Sequence, residues 1–373
     1  MAAKRKKKSK LTAAIWGLIT LVTSGGVGGY LDPDLPILGP LVARLHLREA
    51  VSTDGLPQDR QELVDRIGQL RSGSETPTSD TAVPAVGSTV PVQAVGMQRP
   101  ADKIRMATFN IQVFGESKMG KPEVVDVLAQ VVRRFDLVAI QEIRTKKDTL
   151  MPTFIEKVNE GGGQYNFLIG PRLGRSVSTE QYVYVYDTTR IEYDPSSVGT
   201  MSDPTDLLHR EPYVARFRAK TPNPEQGFTF WLVNIHTDPD EVPQEIDVLA
   251  DVFQVMQTAR ADEDDVILLG DLNASEKQFG RLGQIPGMSW VVTGDVMTNT
   301  RQNRAYDNLL FERNATAEYT GSWGVLDLEA TYGLTRDEAL KVSDHLPVWA
   351  EFDVHEATAD RPKIADRVRL LNR

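Results

Sequence analysis

Polar residues interrupt or end a series of apolar runs in this chain, and they are of the types that phosphate-ester chemistry requires. Asn110 breaks the run Thr108-Phe109-Asn110-Ile111, Glu142 follows the apolar residues 137–140, and Glu180 precedes Tyr182-Val183-Tyr184-Val185. His236 closes Trp231-Leu232-Val233-Asn234-Ile235, and Asp271 and Asn273 follow Ile267-Leu268-Leu269-Gly270. Asp307 precedes Leu309-Leu310-Phe311, and Asp344 and His345 precede Leu346-Pro347-Val348. Each alone has a bland explanation, because strand ends are often polar; together they form a working set. A carboxylate such as Glu142 offers hard oxygen to Mg²⁺ or Mn²⁺, and such a cation neutralises charge building on a phosphate. Water must lose a proton and a leaving oxygen must gain one. Imidazoles do both near neutral pH, each with a carboxylate to fix its tautomer. Of the five histidines, His236 and His345 stand among acids at strand edges, whereas His46, His209 and His355 read as surface or structural residues.

Such a set works only if the elements carrying it end at one place. Apolar runs and alternation predict strands over 104–111, 137–143, 182–186, 228–235, 266–269, 306–311 and 347–354. Pro122 opens a helix whose Val124, Val125, Leu128, Val131 and Val132 recur at helical spacing, and a second helix is expected over 241–260. The mixture predicts an α+β fold: a four-layer α/β/β/α sandwich of two packed mixed sheets with helices outside.

The 373 residues suffice for such a domain with additional segments. A basic cluster, Lys4 to Lys10, precedes an uncharged stretch over 11–31. Residues 1–31 are therefore expected to be a membrane anchor, with the rest of the chain outside the cytoplasm, or a signal that is cleaved to release it. Residues 32–100 are expected to hold a short polar helix over 57–71 and a flexible Ser-, Thr-, Pro-, Val- and Gly-rich linker over 72–100. The catalytic domain is expected over 101–357 and a polar, basic tail over 358–373. The absence of cysteine excludes disulfides, thiolate metal sites and cysteine nucleophiles. A net charge of −10 speaks weakly against a nucleic-acid partner, since a bound divalent cation inverts the local sign.

The ordered series Thr-Phe-Asn-Ile (108–111), Gln-Glu-Ile-Arg (141–144), Glu-Gln-Tyr (180–182), Asn-Ile-His (234–236), Gly-Asp-Leu-Asn (270–273), Tyr-Asp-Asn (306–308) and Ser-Asp-His (343–345) resembles the endonuclease/exonuclease/phosphatase family. Glu180-Gln181-Tyr182, the preceding Arg175 and Arg210-Glu211-Pro212 are similar to its deoxyribonuclease I branch. The resemblance implies that His236 pairs with Glu180 and His345 with Asp307, one ring acting as base and the other as acid. It implies Glu142 as a metal ligand, with Asp344 and Asp271 nearby, and Asn110 and Asn273 as hydrogen-bond donors to the scissile phosphate. Arg144 and Arg210 would contact phosphate oxygens, and Arg175 would lie near the minor groove. Two features depart from the branch: Ser178 stands where an aromatic residue is usual, and its paired cysteines are absent.

The leading expectation is a monomeric, Mg²⁺- or Mn²⁺-dependent endodeoxyribonuclease with little sequence preference. A second reading keeps the site and changes the substrate to lipid or inositol phosphates at a membrane. A third is a catalytically dead binding domain, against which stands the filling of every expected position.

Overall fold

The computed structural model describes residues 48–49, 99–175 and 179–357. The N-terminal anchor or signal, the helix over 57–71, the linker up to residue 98, Ser178 and the tail from residue 358 lie outside the described residues. Among the described residues, no helix is long and apolar enough to cross a membrane.

One sheet is built from strands β2 (Lys103–Phe114), β3 (Leu137–Ile143), β4 (Tyr165–Ile169), β5 (Gln181–Asp187), β13 (Tyr319–Val325) and β14 (Val348–Asp353), in the order β13-β14-β2-β3-β5-β4. The other contains β1 (Arg48–Glu49), β7 (Gly199–Thr200), β8 (Tyr213–Ala219), β9 (Thr229–His236), β10 (Val266–Asp271), β11 (Met288–Trp290) and β12 (Asp307–Glu312). Their order is β1-β7-β8-β9-β10-β12-β11, with β6 (Ile191–Tyr193) added beside β8. Both sheets are mixed. Each has a parallel pair, β2 with β3 and β9 with β10, joined by a crossover helix as parallel strands require. Those helices are α2 (Pro122–Val132) and α4 (Val242–Met256).

Period-two alternation divides each strand between two cores. Ile104 and Met106 point between the sheets, where they join Tyr182, Tyr184, Leu232, Ile267, Leu309 and Phe352. Ala107, Phe109 and Ile111 point the other way, onto α2, α3 (Leu150–Asn159) and Ala339 and Val342 of α7 (Arg336–Val342). On the far side Val233, Ile235, Val266 and Leu268 pack beneath Ile246, Leu249 and Phe253 of α4. The expected four-layer α+β sandwich is present.

A buried polar link ties the sheets together near the strand ends. Gln141 Nε2 donates to Asn234 Oδ1 at 2.7 Å, and Asn234 Nδ2 donates to the Ile140 carbonyl at 3.2 Å. These bonds satisfy amides that would otherwise cost free energy on burial, and they fix the end of β3 against the end of β9.

Candidate active site

Strand register does much of the assembly. On the parallel pair β9 and β10, His236 is the partner of Asp271; on the antiparallel pair β10 and β12, Asp271 is the partner of Asp307. The Gly-Asp-Leu-Asn segment needs its glycine here. Gly270 has φ +152°, and a Cβ at that position would stand 1.9 Å from the Ile235 carbonyl oxygen.

Both histidines are backed by carboxylates. His236 Nδ1 is 2.7 Å from Glu180 Oε1, and His345 Nδ1 is 2.9 Å from Asp307 Oδ2. Glu180 is wholly buried just ahead of β5, held by paired backbone bonds with Leu173. Its second oxygen faces Arg144 Nη2 and Arg210 Nε, each at 3.3 Å. Burial pushes the Glu180 carboxyl up, but His236, Arg210 and Arg144 outweigh it and hold it below its ordinary value. Thr298 Oγ1 donates to Asp307 Oδ2 at 2.8 Å. The free nitrogens of both rings turn to one atom: Asp271 Oδ2 lies 3.5 Å from Nε2 of His236 and 3.5 Å from Nε2 of His345. Burial opposes charge on either ring. The carboxylates win, Glu180 and Asp271 raising His236, and Asp307 and Asp271 raising His345 well above the usual imidazole range.

Glu142 reaches the site because the chain leaves regular strand geometry. It has φ +64°, at an irregularity in the β3–β5 register between Ile140 and Ile143, as bulges beside functional sites do. Its carboxylate accepts from Asn110 Nδ2 at 3.2 Å and from the Val113 amide at 2.8 Å. Asn110 Nδ2 also donates to Asp271 Oδ2 at 3.0 Å. Asn273 has φ +47°; its amide N–H donates to Asp271 Oδ1 at 2.9 Å and its Nδ2 to the Thr237 carbonyl. Asp344 Oδ1 is buried, makes no hydrogen bond and lies 3.9 Å from His345 Nε2. Carboxylate oxygens such as those of Glu142, Asp271 and Asp344 are the donors a hard divalent cation takes, so the residues fit one. Glu180 and Asp307 also converge with these groups, but each already holds a ring Nδ1–H.

A cleft of about 330 Å³ gathers Glu142, Arg144, Arg210, His236, Asp271, Asn273 and His345. Arg144 and Arg210 therefore reach it, already engaged by Glu180. Arg175 is not among the lining residues; it is paired with Asp206 at 3.0 Å and Glu241 at 2.6 Å. The lining also includes His209, Asp238 and Pro239. His209, expected as a surface or structural residue, is half-buried in this lining. Its Nδ1 lies 3.2 Å from Asp238 Oδ2, and buried Glu245 accepts from the backbone N–H groups of both residues. Burial, then Arg210, holds His209 below its ordinary value, while burial pushes Glu245 up to about 7. In the chain His209 adjoins Arg210, and Asp238 follows His236 by two residues.

The family model described as "Endonuclease/Exonuclease/phosphatase family" matches residues 107–345. Deoxyribonuclease-1-like 1 of Chlorocebus aethiops is 31% identical over 284 residues, covering 73% of this chain and 92% of that protein. Deoxyribonuclease gamma of Rattus norvegicus is 30% identical over 272 residues, covering 69% and 86%. Deoxyribonuclease-1 of Oryctolagus cuniculus is 31% identical over 266 residues, covering 66% and 92%.

Proposed function

The chain belongs to the endonuclease/exonuclease/phosphatase family and is a phosphodiester hydrolase, and on that premise we propose that it is a divalent-metal-dependent endodeoxyribonuclease of low sequence preference. The observation that carries the reading is the convergence of two carboxylate-backed imidazoles on one oxygen of Asp271, inside a cleft that also holds Glu142. The names of the relatives favour DNA over other phosphodiesters.

In the proposed reaction, water attacks phosphorus and one P–O bond breaks. The water proton passes to one ring and the leaving oxygen takes a proton from the other. Either ring can fill either role, His236 being oriented by Glu180 and His345 by Asp307. Glu142 and Asp344, with Asp271 beside them, would hold Mg²⁺ or Mn²⁺, which supplies charge neutralisation at the phosphate. Asn110, by giving up its bonds to Asp271 and Glu142, and Asn273 would donate to the phosphate, and Arg144 and Arg210 would contact its oxygens. Arg175 would meet the flanking duplex once it exchanges its carboxylates for phosphates. We also propose that residues 1–31 place this domain outside the cytoplasm. Protease accessibility in intact cells tests that placement, and protection of the domain would reject it.

The central test is nicking of supercoiled plasmid by the purified full chain with Mg²⁺ or Mn²⁺. His236→Ala and His345→Ala should each abolish it. Wild-type rates in both variants would sink the assignment, and turnover of sphingomyelin or inositol phosphates without plasmid cleavage would replace DNA as the substrate.

A further inference from the structure

Lys118 lies in the four-residue helix α1 (Glu116–Met119), where a lysine would be expected to reach into solvent; it is 8% exposed. Its ammonium donates to the carbonyls of Ile111 at 2.7 Å, Gln112 at 2.6 Å and Val342 at 2.7 Å. All three hydrogens are thereby used, and none goes to a carboxylate.

Two of these carbonyls belong to a turn that needs restraint. Gln112 and Val113 have φ +32° and +51°, a conformation unfavourable for a β-branched residue. The pairing of β2 with β3 shifts register across the same stretch, between Asn110 and Phe114. Yet this turn orients the site. The Gln112 N–H donates to Asn110 Oδ1 at 2.9 Å, which aims Nδ2 at Asp271 and Glu142, and the Val113 N–H donates to Glu142 Oε2 at 2.8 Å. The third carbonyl, of Val342, ends α7 immediately before Ser343, Asp344 and His345. Ser343 Oγ closes the link from that side, donating to the Asn110 carbonyl at 2.7 Å and accepting from the His345 N–H at 3.0 Å.

We propose that Lys118 is a positioning residue for the catalytic centre, its ammonium clamping the turn that carries Asn110 and fixes Glu142 to the helix end that carries Asp344 and His345. Burial pulls the ammonium down to about 8, against the pull of Asp344 and Glu142 and with a small push from Lys121. It acts through carbonyl geometry and stays out of contact with substrate.

The inference rests on the metal-dependent reading above, and its test separates the two. The full chain contains no cysteine, so a Lys118→Cys variant can be aminoethylated selectively under denaturant and refolded, restoring an ammonium of near-lysine length. Mn²⁺ affinity is measured by calorimetry without substrate, kcat and KM on plasmid DNA, and fold by near-UV circular dichroism. Lys118→Met and unmodified Lys118→Cys should fold, bind Mn²⁺ about 10- to 100-fold more weakly and lose kcat to a similar extent, as supporting residues around metal ligands do. KM should stay within about threefold, because uniform binding is untouched. Aminoethylation should recover both losses. Wild-type affinity and kcat in folded Lys118→Met would overturn the clamp, as would a refolded aminoethylated protein that recovers neither. Unfolding of both substituted forms would also overturn it, by making Lys118 a residue of the fold alone. Absence of Mn²⁺ binding by the wild-type chain would overturn the metal centre itself.

Discussion

His236 and Asp271 are register partners on two parallel strands, and the ring Nε2 stands 3.5 Å from Oδ2 of the carboxylate. The same oxygen faces His345, so its charge acts on both rings at once. Asp271→Asn should lower the proton affinity of both histidines and cut kcat by about 10²- to 10⁴-fold. Imidazole titrations followed by NMR check the first effect. Unchanged titrations of both rings would refute the shared role of this oxygen.

A histidine whose folded-state pKa is raised contributes stability that is fully present below the unfolded value and is lost as pH rises through the folded value. Burial works against His345, but Asp307 and Asp271 raise it overall, so this sign applies. The stability difference between wild type and His345→Gln should be larger at pH 6 than at pH 9, by about 1–2 kcal/mol. Urea unfolding at the two values measures it; a gap that widens toward pH 9 would contradict the electrostatic account.

Glu180 is the single carboxylate shared by His236, Arg144 and Arg210. Its neutral replacement removes the carboxylate charge beside buried Arg210 and His236, while Arg144 keeps Glu142 at 3.2 Å. Glu180→Gln should therefore destabilise the fold by about 3 kcal/mol and lower kcat. Retention of the wild-type denaturation midpoint would show that the arginines find other partners.

Divalent cations should stabilise the folded chain, by about 2.7 kcal/mol at a hundredfold excess over Kd. Chelation should remove both this gain and the nicking activity. In Glu142→Gln the shift in melting temperature on adding Mn²⁺ should shrink. A full shift in that variant would place the cation elsewhere.

The His209–Asp238 pair lines the same cleft as His236 and His345. His209→Ala should raise KM for DNA by less than about tenfold and leave kcat near wild type, the pattern of a uniform binding contact. A collapse of kcat as deep as that of His236→Ala would instead give this pair a part in the chemistry.

The sequence shows the frame well where local pattern decides it. β3 spans the expected residues, and α2 opens at Pro122 as its spacing indicates. β8 went unread because Arg216 and Arg218 break its apolar character; their heads pair with Glu263 and Glu192. β13 carries two glycines and much exposed surface, so its strand form comes from pairing with β14. The same division holds within the site. Strand-end positions mark His236, Asp271 and His345, and the two His–acid pairings follow from family resemblance. The meeting of both rings at one oxygen follows from register between distant strands, which no local window contains. Lys118 was invisible for another reason: a lysine in a short polar segment looks like surface until the carbonyls that surround it are known.

The close approach at Gly270 has a consequence for what sequences this site can tolerate. Gly270 is the rung directly before Asp271, opposite Ile235, the residue directly before His236. A missing methyl group there works as a gauge, and the gap it permits sets how near the next rung can stand. Mutational sampling at residue 270 would thus measure the tolerance of the His236–Asp271 distance through a position that has no side chain.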